Sequence, residues 1–78
     1  MKLEKGQFWV HIHNPYLAYK VSKIDYLTLN KIGCFCEVWF RPDTGGGQMN
    51  FITKNKYLLV DEPEFKYWHL LYDNKVLE

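Results

Sequence analysis

Two pairs of residues in this chain carry side chains that bind metals. His11 and His13 stand two apart, and so do Cys34 and Cys36. Both pairs fall in stretches that read as β-strand, where side chains two apart point the same way. Two imidazoles and two thiolates make up a tetrahedral zinc set, which would close if the two strands were neighbours. The spacing argues against it. Residues two apart in a regular strand lie roughly 6.5–7 Å apart at Cα, whereas structural zinc sites take their ligand pairs from turns that curl around the ion. We therefore keep His11, His13, Cys34 and Cys36 as candidate ligands but expect neither a metal nor a cofactor. The cysteines read as small buried hydrophobes and the histidines as polar members of a half-buried strand. The same geometry disfavours a disulfide between Cys34 and Cys36.

Cysteine and histidine are also the nucleophile and base of covalent catalysis. Here the cysteines fall inside an apolar strand, not on an exposed turn or helix start where a thiolate is activated. The sequence has no GxSxG, HExxH or P-loop pattern. Asp61, Glu62 and Glu64 cluster, but a helix cap explains them. The chain is read as a non-enzyme. In the loop Asp43-Thr44-Gly45-Gly46-Gly47-Gln48, consecutive glycine N–H groups could cradle an anion. No helix follows and no Lys-Ser/Thr pair completes a phosphate loop. We read it as a mobile hairpin tip, with Thr44, Gly45, Gly46 and Gly47 as candidate contacts, because such tips are where binders often touch their partners.

The aromatic residues give the other signal. Trp9, Phe35, Trp39 and Arg41 belong to types that dominate interface hot spots. We expect Trp9 and Trp39 to share one sheet face with Phe35 and Arg41, and take these four as candidate partner-binding residues. Two competing readings exist: a C-terminal helix covers that face, or bases stack on it as on single-strand-binding sheets.

Strands must position these groups. Residues 7–13 alternate, with Phe8, Val10 and Ile12 on one face and Trp9, His11 and His13 on the other, and Asn14-Pro15 ends the run. Residues 15–22 read as a short helix or loop, because Leu17, Val21 and Ile24 follow at helical spacing, and a strand follows near 24–30. Cys34 to Arg41 is a strand with Cys34, Cys36, Val38 and Phe40 on one face and Phe35, Glu37, Trp39 and Arg41 on the other. Met49–Thr53 and Tyr57–Val60 read as two short strands joined by a hairpin turn at Lys54-Asn55-Lys56. Asp61-Glu62-Pro63-Glu64 has the signature of a helix start, and Phe65, Trp68, His69 and Tyr72 recur at i, i+3, i+4 and i+7. This predicts a helix over about 62–73; a final strand is the competing reading. The expected fold is α+β: a small antiparallel sheet of four to five strands with a C-terminal helix. A small all-β barrel is the alternative.

Composition bounds the function. At 78 residues and 9.4 kDa the chain is read as one domain, too short for a Rossmann or barrel enzyme. Hydrophobics at 47% and aromatics at 18% can fill a core, so the chain is not a disordered one. A net charge of +1 lacks the basic excess of most nucleic-acid binders. No run approaches the roughly 18 apolar residues of a membrane span. Glu4 and Lys5 interrupt any signal-type apolar run, and two cysteines are no disulfide framework. A cytoplasmic setting is expected. Nine Lys against one Arg, with a single Ala, suggest an AT-rich genome, that of a low-GC bacterium or a phage. The function expected from the sequence is a small non-catalytic protein-interaction module, an accessory protein that inhibits or modulates a larger protein. The alternative is a small binder of nucleotide or single-stranded nucleic acid through aromatic stacking, aided by Lys20, Lys23 and Lys31. A protein partner is expected and no membrane partner. Self-association as a homodimer through an exposed strand edge stays open.

Overall fold

The structure, a computed structural model, describes residues 3–42 and 48–72, and the backbone of 75–76. The candidate contacts Thr44, Gly45, Gly46 and Gly47 lie outside the described residues. The described residues form one antiparallel sheet of six strands, β1 (Phe8–His11), β2 (Asn14–Thr28), β3 (Lys31–Phe40), β4 (Asn50–Asp61), β5 (Trp68–Tyr72) and the two-residue β6 (Lys75–Val76). Their order across the sheet is β4-β3-β2-β1-β5-β6. The first four strands run as a meander. The chain then crosses over and adds β5 to the far side of β1.

The α+β expectation is corrected here. No C-terminal helix spans 62–73; a six-residue 3-10 helix covers Glu62–Tyr67 and gives way to β5. The short helix does follow Asp61 and has a proline in its first turn, but the Asp61 side chain makes no cap hydrogen bond, so the expected capping box does not form. It ends after six residues, where Trp68 to Leu70 take up ladder pairing with β1. Trp68 and Leu70 face one side of the sheet, and His69 and Leu71 face the other. Leu71 is buried, and Trp9 pairs with Leu70 and Val10 with His69.

A second correction concerns residues 15–22, which are strand throughout. The register of β2 against β3 slips between Val21 and Lys23. The extra residue, Ser22, is a bulge. It turns a period-2 series Leu17, Tyr19, Val21 into a step of three to Ile24, and the sum mimics helical spacing. A third correction is β4. The supposed hairpin at Lys54-Asn55-Lys56 is absent, and the register against β3 slips twice, between Cys36 and Val38 and between Val38 and Trp39. Two bulges in one strand break the alternation where a turn was expected.

Strand β1 is also shorter than the 7–13 run. Ile12 and His13 form a two-residue turn between His11 and Asn14, and the β2 partners jump from Ala18 to Asn14. Pro15, Tyr16 and Leu17 therefore bulge away from β1. Proline has no N–H to give the ladder, and the bulge leaves carbonyls to satisfy. Arg41 does this: its backbone N–H donates to the Tyr16 carbonyl at 2.6 Å and its Nη1 donates to the Pro15 carbonyl at 2.7 Å. At the other end of β1, Gly6 adopts φ +93°, a region open to glycine at low cost. This turn lets the Gly6 N–H reach the Val21 carbonyl, and the Val21 N–H the Gln7 carbonyl, so pairing with β2 continues past Phe8.

Candidate interaction face

Strand alternation gives the sheet two different faces. The inner face collects Trp9, Tyr19, Val21, Ile32, Cys34, Cys36, Leu58, Val60 and Trp68 around a hollow that Leu3 also lines. Only about 20 Å³ of free space remains inside, room for about one water. Trp68 stands edge-on to Tyr19 with ring centroids 5.5 Å apart. The hollow is lined by apolar side chains of the core seam.

Both cysteines belong to that seam. They are buried, unbridged, and hydrogen-bonded to each other, with Sγ atoms 3.3 Å apart. Their hydrogen bond, together with burial, pushes the Cys36 thiol up, far from ionising. Cys34 is lowered by the same bond against the opposing effect of burial. Burial also raises the Tyr19 phenol, with the nearby Cys36 adding to it. An apolar lining suits neutral side chains and opposes a free thiolate.

The histidines lie elsewhere. His11 ends β1 and His13 lies in the β1–β2 turn, where its N–H donates to His11 Nδ1 at 3.2 Å. Their rings stack among Tyr67 and Trp68 at centroid distances of 5.0–5.9 Å. Among the described residues no three His, Cys, Asp or Glu side chains gather as metal ligands, so the structure does not bring the two pairs into one set. Nor is any helix among them long and apolar enough to cross a membrane.

The outer face has a buried end and an open end. Val10, Ala18 and Leu71 are buried there, with Phe8, Trp39 and Met49 packed against them. Trp39 sits edge-on to Phe8 and to Phe51, at 5.9 and 5.3 Å, and its Nε1 donates to Glu37 at 3.1 Å. Towards β4 the cover stops. Phe35, Phe51, Tyr57 and Leu59 remain 42%, 50%, 40% and 55% exposed. Phe35 meets Tyr57 edge-on at 4.8 Å. Gly33 makes room for that ring, because a Cβ there would collide with the Tyr57 phenol. Lys20 and Lys23 lie over the Phe8 and Phe35 rings at 5.6 and 5.9 Å.

The four residues expected to form one patch are therefore divided. Trp9 pairs with Tyr19, and Tyr19 with Val38, whereas Trp39 pairs with Ala18, which faces Val10. Trp9 thus belongs to the inner face, with its Nε1 donating to Gln7 at 3.1 Å, and Trp39 to the outer. Arg41 is fully buried, held by the β2 bulge. Trp9 and Trp39 are half-buried, and of the four Phe35 is the one largely exposed. Sequence reasoning missed Phe51, Tyr57 and Leu59. Their odd-numbered alternation was visible, but the supposed hairpin placed Phe51 and Tyr57 on separate strands. No family model, curated protein or solved structure matches the chain.

Proposed function

We propose that this protein is a non-catalytic interaction module that binds a protein partner through the open end of its outer sheet face. The carrying observation is the row of Phe35, Phe51 and Tyr57, each at least 40% exposed on adjacent strands β3 and β4. Exposed aromatic clusters of this kind supply most interface energy, and isolated domains rarely leave them in water without a use. Charge speaks to the class of partner. The same face carries Lys20 and Lys23 against Asp25 and Glu37, which pair or neighbour one another across β2 and β3. That balance suits an apolar protein patch with a polar rim better than a polyanion. A modulating role, a source in a low-GC bacterium or phage, and a cytoplasmic setting complete the reading.

The test is capture by immobilised protein from the lysate of a low-GC bacterium, with Phe35→Thr/Phe51→Thr and Tyr26→Ala run in parallel. Threonine keeps strand propensity. Tyr26 is exposed near the β2–β3 turn, away from the patch. The expected result is one stoichiometric polypeptide held by the wild type and Tyr26→Ala and lost by the double variant. Equal retention by all three, retention of nothing, or an eluate absorbing at 260 nm without protein overturns the proposal.

A further inference from the structure

We propose that two copies of this chain pair through β4, antiparallel and in one register centred on Leu59. The surface lies beyond the one used above, since it is the edge of the sheet rather than its face.

Strand β4 ends the sheet, and among the described residues nothing pairs with its outer side. Exposed strand edges invite pairing, and proteins blunt them with bulges and lysines. The two halves of β4 differ in this respect. From Asn50 to Asn55 the strand carries both register slips, and Lys54 stands there too. From Lys56 to Asp61 it is regular, each residue facing one of Cys36 to Lys31 without a slip. The regular half is the open template.

Its hydrogen-bonding phase follows from one bond. The Glu62 N–H donates to the Asn30 carbonyl at 2.7 Å, in the same register that pairs Asp61 with Lys31. In an antiparallel ladder, residues alternate between bonding one neighbour strand and the other. Residues 58, 60 and 62 therefore bond towards β3. Tyr57, Leu59 and Asp61 turn their N–H and C=O groups outwards.

A two-fold axis through such an edge must bring like-phased residues together. Centred on Leu59, it sets Leu59 against Leu59 and Tyr57 against Asp61, which engages every outward group of the regular half. A register centred on Leu58 instead sets Asp61 against Asn55, in the bulged half. Charge favours the same arrangement. Lys54 and Lys56 precede the apolar run Tyr57-Leu58-Leu59-Val60, and Asp61, Glu62 and Glu64 follow it. Antiparallel pairing brings the basic end of each copy to the acidic end of the other, with Lys56 facing Glu62. Opposite charges across a strand pair stabilise it, and like charges destabilise it. A parallel pairing would oppose like with like. The Leu59 side chains, more than half exposed in the single chain, would meet at the axis, and Leu58 would meet Val60 on the inner face.

Sedimentation velocity between about 5 and 500 µM tests this on the whole chain. The wild type is expected to pass from 9.4 kDa to twice that mass as concentration rises. Leu59→Lys places two like charges face to face at the axis and should remain a monomer. Lys56→Glu should weaken pairing at least tenfold, and adding Glu62→Lys to it should restore it. Both changes fall on exposed side chains, and far-UV circular dichroism confirms that each variant is folded. A wild type that stays monomeric at 500 µM overturns the proposal. So does a folded Leu59→Lys that dimerises like the wild type, or a charge swap that fails to restore pairing. Partner capture through Phe35 and Phe51 is read separately, so either proposal can fail alone.

Discussion

Trp39→Ala separates a contact residue from a core residue. A tryptophan on a free binding face can be truncated with little effect on the fold. Trp39 is mostly buried, rests against the Val10–Ala18–Leu71 cluster, and meets Phe8 and Phe51 edge-on. Truncating a fully buried Trp or Phe to Ala costs about 3–5 kcal/mol. Because part of the Trp39 ring reaches solvent and its Nε1 is already bonded to Glu37, the low end applies, about 3 kcal/mol. A domain of this length holds roughly 4–12 kcal/mol in total, so the change removes a large share. Each kcal/mol moves the Tm of such a domain by roughly 4–8 °C. The expected fall is therefore about 12–24 °C, followed by far-UV circular dichroism during heating. Trp39→Phe, which keeps an aromatic edge against Phe8 and Phe51, should recover more than half of the loss. A Tm within about 2 °C of wild type for Trp39→Ala would refute the placement of this ring in the core.

Three further outcomes follow from the geometry. Arg41→Leu removes the donor to the Pro15 carbonyl inside the β2 bulge and should cost about 1–3 kcal/mol, read as a shift in the urea midpoint; an unchanged midpoint would show that the bulge needs no donor. The Tyr19 phenol is raised above its ordinary value of 10.0 by burial and then by Cys36, so the folded state holds that proton more tightly than the unfolded one. Its stabilising effect is complete below pH 10 and fades as pH rises through the folded value; Cys36, raised likewise, adds to the same limb. Tyr19→Phe should flatten the decline of Tm between pH 9.5 and 11, and an unaltered slope would contradict the assignment. Finally, a thiol reagent at neutral pH should modify Cys34 and Cys36 at least about 100-fold more slowly in the folded protein than in urea, because access requires opening. Comparable rates would place the thiols at the surface.

Strands were legible where alternation ran unbroken and were lost where a bulge interrupted it. Cys34 to Phe40 shows the first case: Cys34, Cys36 and Val38 are buried on one side, and Phe35, Glu37 and Trp39 lie on the other, as alternation predicts, although the strand itself begins earlier, at Lys31. Ser22 shows the second. One added residue converts a strand into a passable helix pattern, since a slip of one in a period of two shifts the apolar series into steps of three. Two such residues in β4 imitate a turn, and the lysines around them reinforce the impression. At Glu62–Tyr67 the local signal predicted a helix reaching residue 73, and the chain forms only a six-residue 3-10 helix without a side-chain cap from Asp61. A cap and a proline specify where a helix begins, but its length was decided by what β1 offers on its free side, namely a ladder for Trp68 to Leu70.

The candidate site was less legible than the fold, for a related reason. Which face a side chain occupies depends on its own strand and on the register of that strand against its neighbours. Trp9 and Trp39 each look like outward aromatics within their own strands. They are divided because Trp9 faces Tyr19 and Tyr19 faces Val38, one residue short of Trp39. A shift of one residue in either pairing would have united them. The same dependence makes Phe35, Phe51 and Tyr57 a patch: pairing of Phe35 with Tyr57 and of Trp39 with Phe51 carries the aromatic row from β3 onto the edge strand. An edge strand has neighbours on one side only, so its exposed side chains and its outward N–H and C=O groups arise from one cause. The position of β4 at the end of the sheet thus underlies both the proposed binding face and the proposed self-pairing edge.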